Sequence, residues 1–143
     1  MKYFFLVFVL FSLIHCKSYR NSVTGNWKLL SVVNSDDAYA KRSSLIPQKV
    51  ESNMFLTLKK DGTFISNRDL CTGNWKETIE NKSAGKYYFK KKRNPDKVFR
   101  LEANECPGIG GDHHFILKDK KLELYYPSVA GYLIQIFERQ EIK

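Results

Sequence analysis

The sequence has none of the short motifs that mark common catalytic and cofactor-binding chains. No serine lies in a Gly-x-Ser-x-Gly turn, and Gly108-Ile109-Gly110-Gly111 lacks the lysine and following helix of a phosphate-binding loop. The chain has only three cysteines, and none has the CxxC spacing of a metal or redox site. We therefore predict a protein that is not an enzyme and that needs neither a metal nor another cofactor.

The histidines offer little more chemistry. His113 and His114 follow Asp112 and suggest metal binding or acid–base work. Adjacent residues of a strand point to opposite faces, so the two histidines cannot easily share one metal. Cys106 paired with either histidine would make a nucleophile only if its thiol were free. A small hydrolase is therefore the least favoured functional class.

Long helical periodicity is also absent, whereas strand-forming residues are abundant. With 43% hydrophobic and 14% aromatic residues, the chain is too apolar to be disordered. Eight tyrosines and ten phenylalanines favour strands, because aromatic side chains suit a pleated, half-buried surface. A length of 143 residues allows one domain with its own core.

The N-terminus has the pattern of an export signal. Lys2 precedes an apolar run from Tyr3 to Ile14 that only Ser12 interrupts. Such a run fits the ~7–15 residues of a signal-peptide core and is shorter than the ~20 needed to span a bilayer. Three kinds of segment have such a run: a lipoprotein signal, an ordinary secretory signal cut near or after Cys16, and a short uncleaved anchor.

Leu13-Ile14-His15-Cys16 resembles the lipobox of bacterial lipoproteins, although His15 replaces the usual small residue. The resemblance implies that Cys16 becomes the first mature residue and carries acyl chains such as palmitate. It divides the chain into a signal peptide (residues 1–15), a lipidated tether (16–23) and a domain (24–143). The protein would then be lipid-anchored in the cell envelope, at the outer membrane or the periplasmic face.

The other two cysteines form an even pair once Cys16 is acylated. An exported chain reaches a compartment that permits disulfides, so we predict a bond between Cys71 and Cys106. Two buried free thiols are the alternative.

Period-two alternation of apolar and polar residues predicts eight or nine short strands. Asp61-Gly62 predicts a tight hairpin in which both residues have positive φ. Asn34–Glu51 breaks the alternation and has room for a short helical turn. Strands with such short links favour a small antiparallel barrel, which leaves no exposed edges. The predicted strands are residues 27–33, 54–59, 64–67, 74–80, 86–92, 98–103, 114–118, 122–126 and 132–138.

One pentapeptide occurs twice, as Thr24–Lys28 and as Thr72–Lys76. The residues after each copy diverge, so the repeat does not indicate a full duplication. In both copies a glycine allows a bend, and a tryptophan offers a large apolar side chain that can fill one end of a barrel.

Gly25-Asn26-Trp27 opening the first strand resembles the first block of lipocalins. With Phe55–Phe64 and Gly73-Asn74-Trp75, it is similar to the lipocalin-like domains of many bacterial lipoproteins. The resemblance implies an up-and-down barrel, a basic residue near the end of the last strand (here Arg139) packed over Trp27, and no chemistry. The lipocalin C-terminal helix is missing, which is typical of the reduced bacterial domains.

The resemblance also implies an apolar cup for a small hydrophobic or amphiphilic molecule, with Asn34–Glu51 as its lid. The alternative is a solid core, in an envelope protein that binds a protein or an anionic polymer. Ile79 and Ile136 are further inward candidates. The predicted ligand-binding residues are Trp27, Leu29, Leu56, Leu58, Trp75, Phe89, Ile116, Leu124 and Ile134.

The formal charge is +9, or +8 once the signal with its single Lys2 is removed. Much of it alternates with apolar residues, as on a solvated strand face. Lys90–Arg93, after Tyr87-Tyr88-Phe89, could stack on and neutralise a nucleic acid. An exported protein seldom meets nucleic acid, so a solvated hairpin tip or contact with anionic lipid or an acidic polymer is favoured. We expect a monomer that binds no nucleic acid.

Overall fold

The computed structural model describes residues 22–76, 82–93, 96–104, 106, 113–127 and 131–141. The predicted signal peptide, the predicted acylation site Cys16 and most of the predicted tether lie outside this part of the chain. The described part is almost entirely β, with helical backbone at residues 22–23 and a 3₁₀ turn at Arg42–Ser44. The strands are β1 (Gly25–Ser35), β2 (Gln48–Lys49), β3 (Phe55–Leu58), β4 (Thr63–Ser66), β5 (Ser83–Arg93), β6 (Asp96–Ala103), β7 (His113–Lys118), β8 (Lys121–Pro127) and β9 (Tyr132–Gln140).

Strands β1 and β3–β9 form a closed eight-stranded antiparallel barrel, which confirms the predicted fold class. From β3 onward each strand pairs with the next, and β9 pairs with β1 from Asn26↔Gln140 to Ser35↔Tyr132. The two-residue β2 is an extra strand on β1. The β1–β9 pairing closes the sheet on itself.

Alternate residues of each strand fill the barrel. The interior cluster joins all eight strands, and its largest members are 0–2% exposed. A β-bulge at Leu30 shifts the register of β1 against β9 and keeps Val32 in the interior. Representative members of the cluster are Trp27, Leu29, Leu56, Phe64, Tyr87, Phe99, Phe115, Leu124 and Phe137.

The up-and-down topology gives the barrel two unlike ends. We call the end with the β3–β4, β5–β6 and β7–β8 hairpins the base, and the opposite end the mouth. At the base, the Trp27 indole N–H donates to the Val23 carbonyl at 2.8 Å. The Arg139 guanidinium lies 4.8 Å from the Trp27 ring centroid, which confirms the contact expected from the resemblance.

Two local predictions are wrong. Only Gly62 of the Asp61-Gly62 turn has positive φ, because the hairpin has a three-residue link closed by Lys59 N–H to Thr63 O. The two-residue turn with both φ positive is Asp119-Lys120. The predicted strand at 74–80 is not formed at residues 74–76, and residues 77–80 lie outside the described part.

Candidate functional site

The mouth of the barrel is covered by Arg68–Trp75, which we call the plug segment. Leu70 is fully buried in the interior cluster, and Trp75 packs partly against the same cluster. Gly73 has φ +69°, and a Cβ there would lie 3.1 Å from side-chain carbons of Tyr126 and Leu133. Glycine at position 73 of the repeated pentapeptide thus accepts the positive φ and leaves room for Tyr126 and Leu133, which a larger residue would crowd.

A disulfide between Cys71 and Cys106 joins the plug segment to the β6–β7 connection, with the Cα atoms 5.3 Å apart. The predicted pairing is therefore confirmed. Because Cys106 has no free thiol, the thiol–histidine pair considered from the sequence does not exist in this state.

Side-chain hydroxyls fix the path of the plug segment. Ser66 Oγ accepts the backbone N–H of Arg68 at 3.1 Å, and Ser83 Oγ accepts that of Leu70 at 3.0 Å. The Asp69 carboxylate accepts the N–H of Cys71 at 2.8 Å and the hydroxyl of Thr72 at 2.9 Å. These are the local bonds that Asp, Ser and Thr offer in turns, and they compete with strand formation.

Below the plug segment lies a buried polar cluster. Gln135 is 0% exposed although it points into an otherwise apolar interior. Its amide donates to the Gly73 carbonyl at 2.9 Å, and its oxygen accepts the Tyr126 hydroxyl at 3.2 Å. Sequence reasoning missed this residue, because one glutamine in a strand gives no sign of which face it occupies.

His113 belongs to this polar cluster. It is 7% exposed, and its ring lies 4.9 Å from that of Tyr126. Among the described residues, no group forms a hydrogen bond with His113 Nδ1. Burial, reinforced by the charge of His114, lowers the pKa of His113, so the imidazole is neutral near pH 7. Burial likewise raises the pKa of Tyr126, and this hydroxyl keeps its proton.

His114 points to the outer face, where its ring stacks on Tyr125 at 4.9 Å with an interplanar angle of 8°. The two histidines therefore do lie on opposite faces. The arrangement around His113 offers neutral hydrogen-bond donors and acceptors next to an apolar interior, which suits a polar group of low charge.

Arg68 adds a buried cation to the plug segment. It is 9% exposed, and its guanidinium donates to the Asn67 carbonyl at 3.3 Å. Its Nε has no hydrogen-bond partner in the described part of the chain. Two buried polar side chains at this end, Arg68 and His113, are therefore incompletely satisfied.

Most of the predicted ligand-binding residues belong to the interior cluster or pack against it: Trp27, Leu29, Leu56, Leu58, Trp75, Phe89 and Leu124. The prediction that Ile116 and Ile134 line the interior is wrong, because both side chains lie on the outer face of the barrel. Ile116 alternates with the interior residues Phe115 and Leu117. Ile134 and Ile136 pack with Val33 in a separate outer cluster. Ile79 lies outside the described residues.

The interior is densely filled away from the mouth. A void large enough for water would leave accessible surface on the side chains around it, yet Trp27, Leu56, Leu58, Phe115 and Leu124 are 0–1% exposed. These residues therefore form a solid core. Leu70 and Gln135 under the plug segment are also 0% exposed, so a ligand could enter at the mouth only if the plug segment moved.

The predicted lid, Asn34–Glu51, lies elsewhere. Leu45 packs on the outer cluster of Val33, Ile134 and Ile136. Arg42 forms an ion pair with Glu123 on the outer face of β8, with Nη2 to Oε1 at 2.9 Å. This segment thus covers the barrel wall, because β1 and β9 are apolar on both faces and the outer apolar face also has to be buried.

No helix among the described residues is long and apolar enough to cross a membrane. In the same part of the chain, no three His, Cys, Asp or Glu side chains are grouped as metal ligands would be. Comparison with protein-family models, with curated proteins and with solved structures finds no match to this chain.

Proposed function

We propose that this protein is a lipid-anchored envelope protein that binds one small amphiphilic molecule at the mouth of its barrel and performs no chemistry. The observation that carries the proposal is the buried polar cluster under the plug segment, in which His113 Nδ1 has no hydrogen-bond partner among the described residues. Leaving a buried polar atom unpaired destabilises a fold by about 1–3 kcal/mol, so its presence favours a role for that atom.

The ligand is expected to be amphiphilic because the site has a polar part and an apolar part. The His113 imidazole, the Tyr126 hydroxyl and the Gln135 amide would hold a hydroxyl or carboxyl group. Leu70 and Trp75 of the plug segment would contact an apolar chain. A wholly apolar ligand deep in the barrel is disfavoured, since the core there is filled.

The plug segment would have to move for the ligand to enter. It is held by the Cys71–Cys106 bond and by the Gln135–Gly73 hydrogen bond, and neither involves a ladder of strand pairing. Movement of a loop requires less disruption than opening the barrel wall, where β1 and β9 alone share nine paired positions.

Binding is tested on the barrel domain, residues 17–143, by native mass spectrometry followed by organic extraction. We expect a co-purifying amphiphile that is lost on denaturation, and uptake of a dansylated fatty acid as a probe. His113→Leu should weaken probe binding about tenfold, the worth of one hydrogen bond to a buried group, whereas His114→Leu on the outer face should not. A native mass equal to that of the polypeptide alone, together with no uptake of the probe, would refute the binding function.

The anchor is tested separately in the full chain. Radiolabelled palmitate fed to expressing bacteria should label the protein, and Cys16→Ser should abolish the label. Unchanged labelling of the Cys16→Ser variant would refute acylation at this residue.

The filled core favours a second function, an envelope protein that binds a partner through its surface. The observation behind it is the 0–1% exposure of interior side chains such as Trp27, Phe115 and Leu124. A bare mass in the first experiment, together with capture of a defined envelope partner, is the result expected of this alternative.

A further inference from the structure

The base of the barrel is strongly basic. Each of its three hairpins carries exposed lysines at or beside the turn: Lys59 and Lys60, Lys90 and Lys91, Lys120 and Lys121. None of these six belongs to an ion pair that the structure gives for the described residues. Their charges are therefore available to an external partner.

The charge is unevenly distributed between the two ends. Among the described side chains, the base hairpins (residues 59–62, 90–91, 96–97 and 118–121) contain eight basic and three acidic residues. The described part of the mouth connections (residues 36–40, 67–76, 82, 104, 106 and 131) contains three basic and three acidic residues. The barrel thus has a cationic end and a nearly neutral one, which a uniformly solvated surface does not require.

The N-terminal chain enters the barrel at the basic end. The Ser22 carbonyl accepts a hydrogen bond from Arg139, and Ser22 lines a depression of about 540 Å³ together with Lys120 and Lys121. Three acidic residues, Asp119, Glu138 and Glu141, also line it, so we assign no headgroup pocket to this depression.

The predicted anchor brings this end close to the bilayer. Cys16 precedes Ser22 by few residues, and even a fully extended tether of this length reaches only about 20 Å. An acylated protein would therefore hold its base, and not its mouth, near the lipid headgroups.

We propose that the base of the barrel docks on an anionic phospholipid surface. Each basic residue near such a surface strengthens binding about fivefold, and the attraction falls off over a Debye length of about 8–10 Å. Docking would leave the mouth facing away from the membrane. The inference goes beyond ligand binding, and the basic end would bind lipid with or without the anchor.

The test is sedimentation of the unacylated barrel domain, residues 17–143, with vesicles. We expect binding to 30% phosphatidylglycerol in phosphatidylcholine at low salt, little binding to pure phosphatidylcholine, and release by 0.5 M NaCl. The base variant Lys60→Gln/Lys90→Gln/Lys120→Asn should bind about a hundredfold more weakly. Asn is chosen at position 120 because φ is +63° there.

The matched control removes the same charge from exposed sites outside the base hairpins: Lys49→Gln/Lys76→Gln/Lys82→Gln. It should bind within about threefold of the parent. Equal weakening in both variants would show a net-charge effect and overturn the proposal, as would salt-resistant binding to neutral vesicles or binding to polyphosphate without binding to vesicles. The base variant should still take up the dansylated fatty acid, so failure of docking and failure of ligand binding are separate results.

Discussion

Removal of the Cys71–Cys106 bond gives the sharpest test of how the mouth is held. The bond spans a sequence separation of 35 residues. In the chain-entropy treatment, a closed loop of this length stabilises the folded state by about 4 kcal/mol, because it restricts the unfolded chain. The variant Cys71→Ser/Cys106→Ser should lose that amount, which is a large part of the 5–15 kcal/mol typical of a domain.

The assay is urea unfolding of residues 17–143, a fragment that excludes Cys16. With an m-value near 2 kcal/mol/M, the midpoint should fall by about 2 M, and the melting temperature by roughly 10–20 °C. Reduction of the parent with dithiothreitol should give the same midpoint. Backbone amides of the plug segment, such as the Leu70 N–H bonded to Ser83 Oγ at 3.0 Å, should exchange faster. A loss below about 1 kcal/mol with an unchanged m-value would refute the reasoning.

Three further changes probe the base and the polar cluster. Trp27→Ala should destabilise the fold by about 3–5 kcal/mol in urea unfolding, since it empties a fully buried site; near-parent stability would contradict this. Gln135→Leu should lower the free energy of unfolding by about 1–3 kcal/mol, because it leaves the Gly73 carbonyl unpaired; a neutral effect would show that water or another group takes its place. The pKa of His113 is lowered from 6.5 in the folded state, so the unfolded chain binds its proton first as the pH falls. Stability should therefore be full above about pH 7 and decline below pH 6.5, and His113→Gln, but not His114→Gln, should remove that decline.

The sequence predicted the strands best where one face is apolar and the other polar. Period-two alternation placed β3–β9 within a few residues of their ends. Trp27 and Arg139 are far apart in sequence, and only the resemblance to lipocalins brought them together. The closed barrel followed from the number of strands and their short links.

The errors arise where both faces of a strand are buried. β9 has Leu133, Gln135 and Phe137 toward the interior and Ile134 and Ile136 toward the outer cluster. Hydrophobicity alone favours the isoleucines for the interior. The register of β9 with β1 instead places Leu133, Gln135 and Phe137 inside and the isoleucines outside. Leu45 of the predicted lid, Asn34–Glu51, packs on the same outer cluster, so this segment covers the outside of the barrel instead of its mouth.

The strand predicted from residue 74 is not formed at residues 74–76 for a different reason. Trp75, Glu77 and Ile79 alternate as strand residues do, but the Asp69, Thr72 and Asn74 side chains bond to nearby residues within the segment. These local bonds and the disulfide to Cys106 outweigh the alternation. A disulfide between two loops can be predicted from cysteine count, but which loop then folds inward depends on the space that the finished barrel leaves.

The pairing of the first and last strands also decides when this protein can fold. β3 covers only Gly25–Lys28 of β1, whereas β9 pairs along nearly the whole strand. The sheet therefore cannot close until Tyr132–Gln140, close to the C-terminus of the chain, has been synthesised. Contacts so distant in sequence form slowly, so the barrel is expected to close late in folding. A chain ending at Pro127 should accordingly show no cooperative unfolding transition. If the predicted N-terminal signal directs export, the order of synthesis would itself keep the chain competent for translocation.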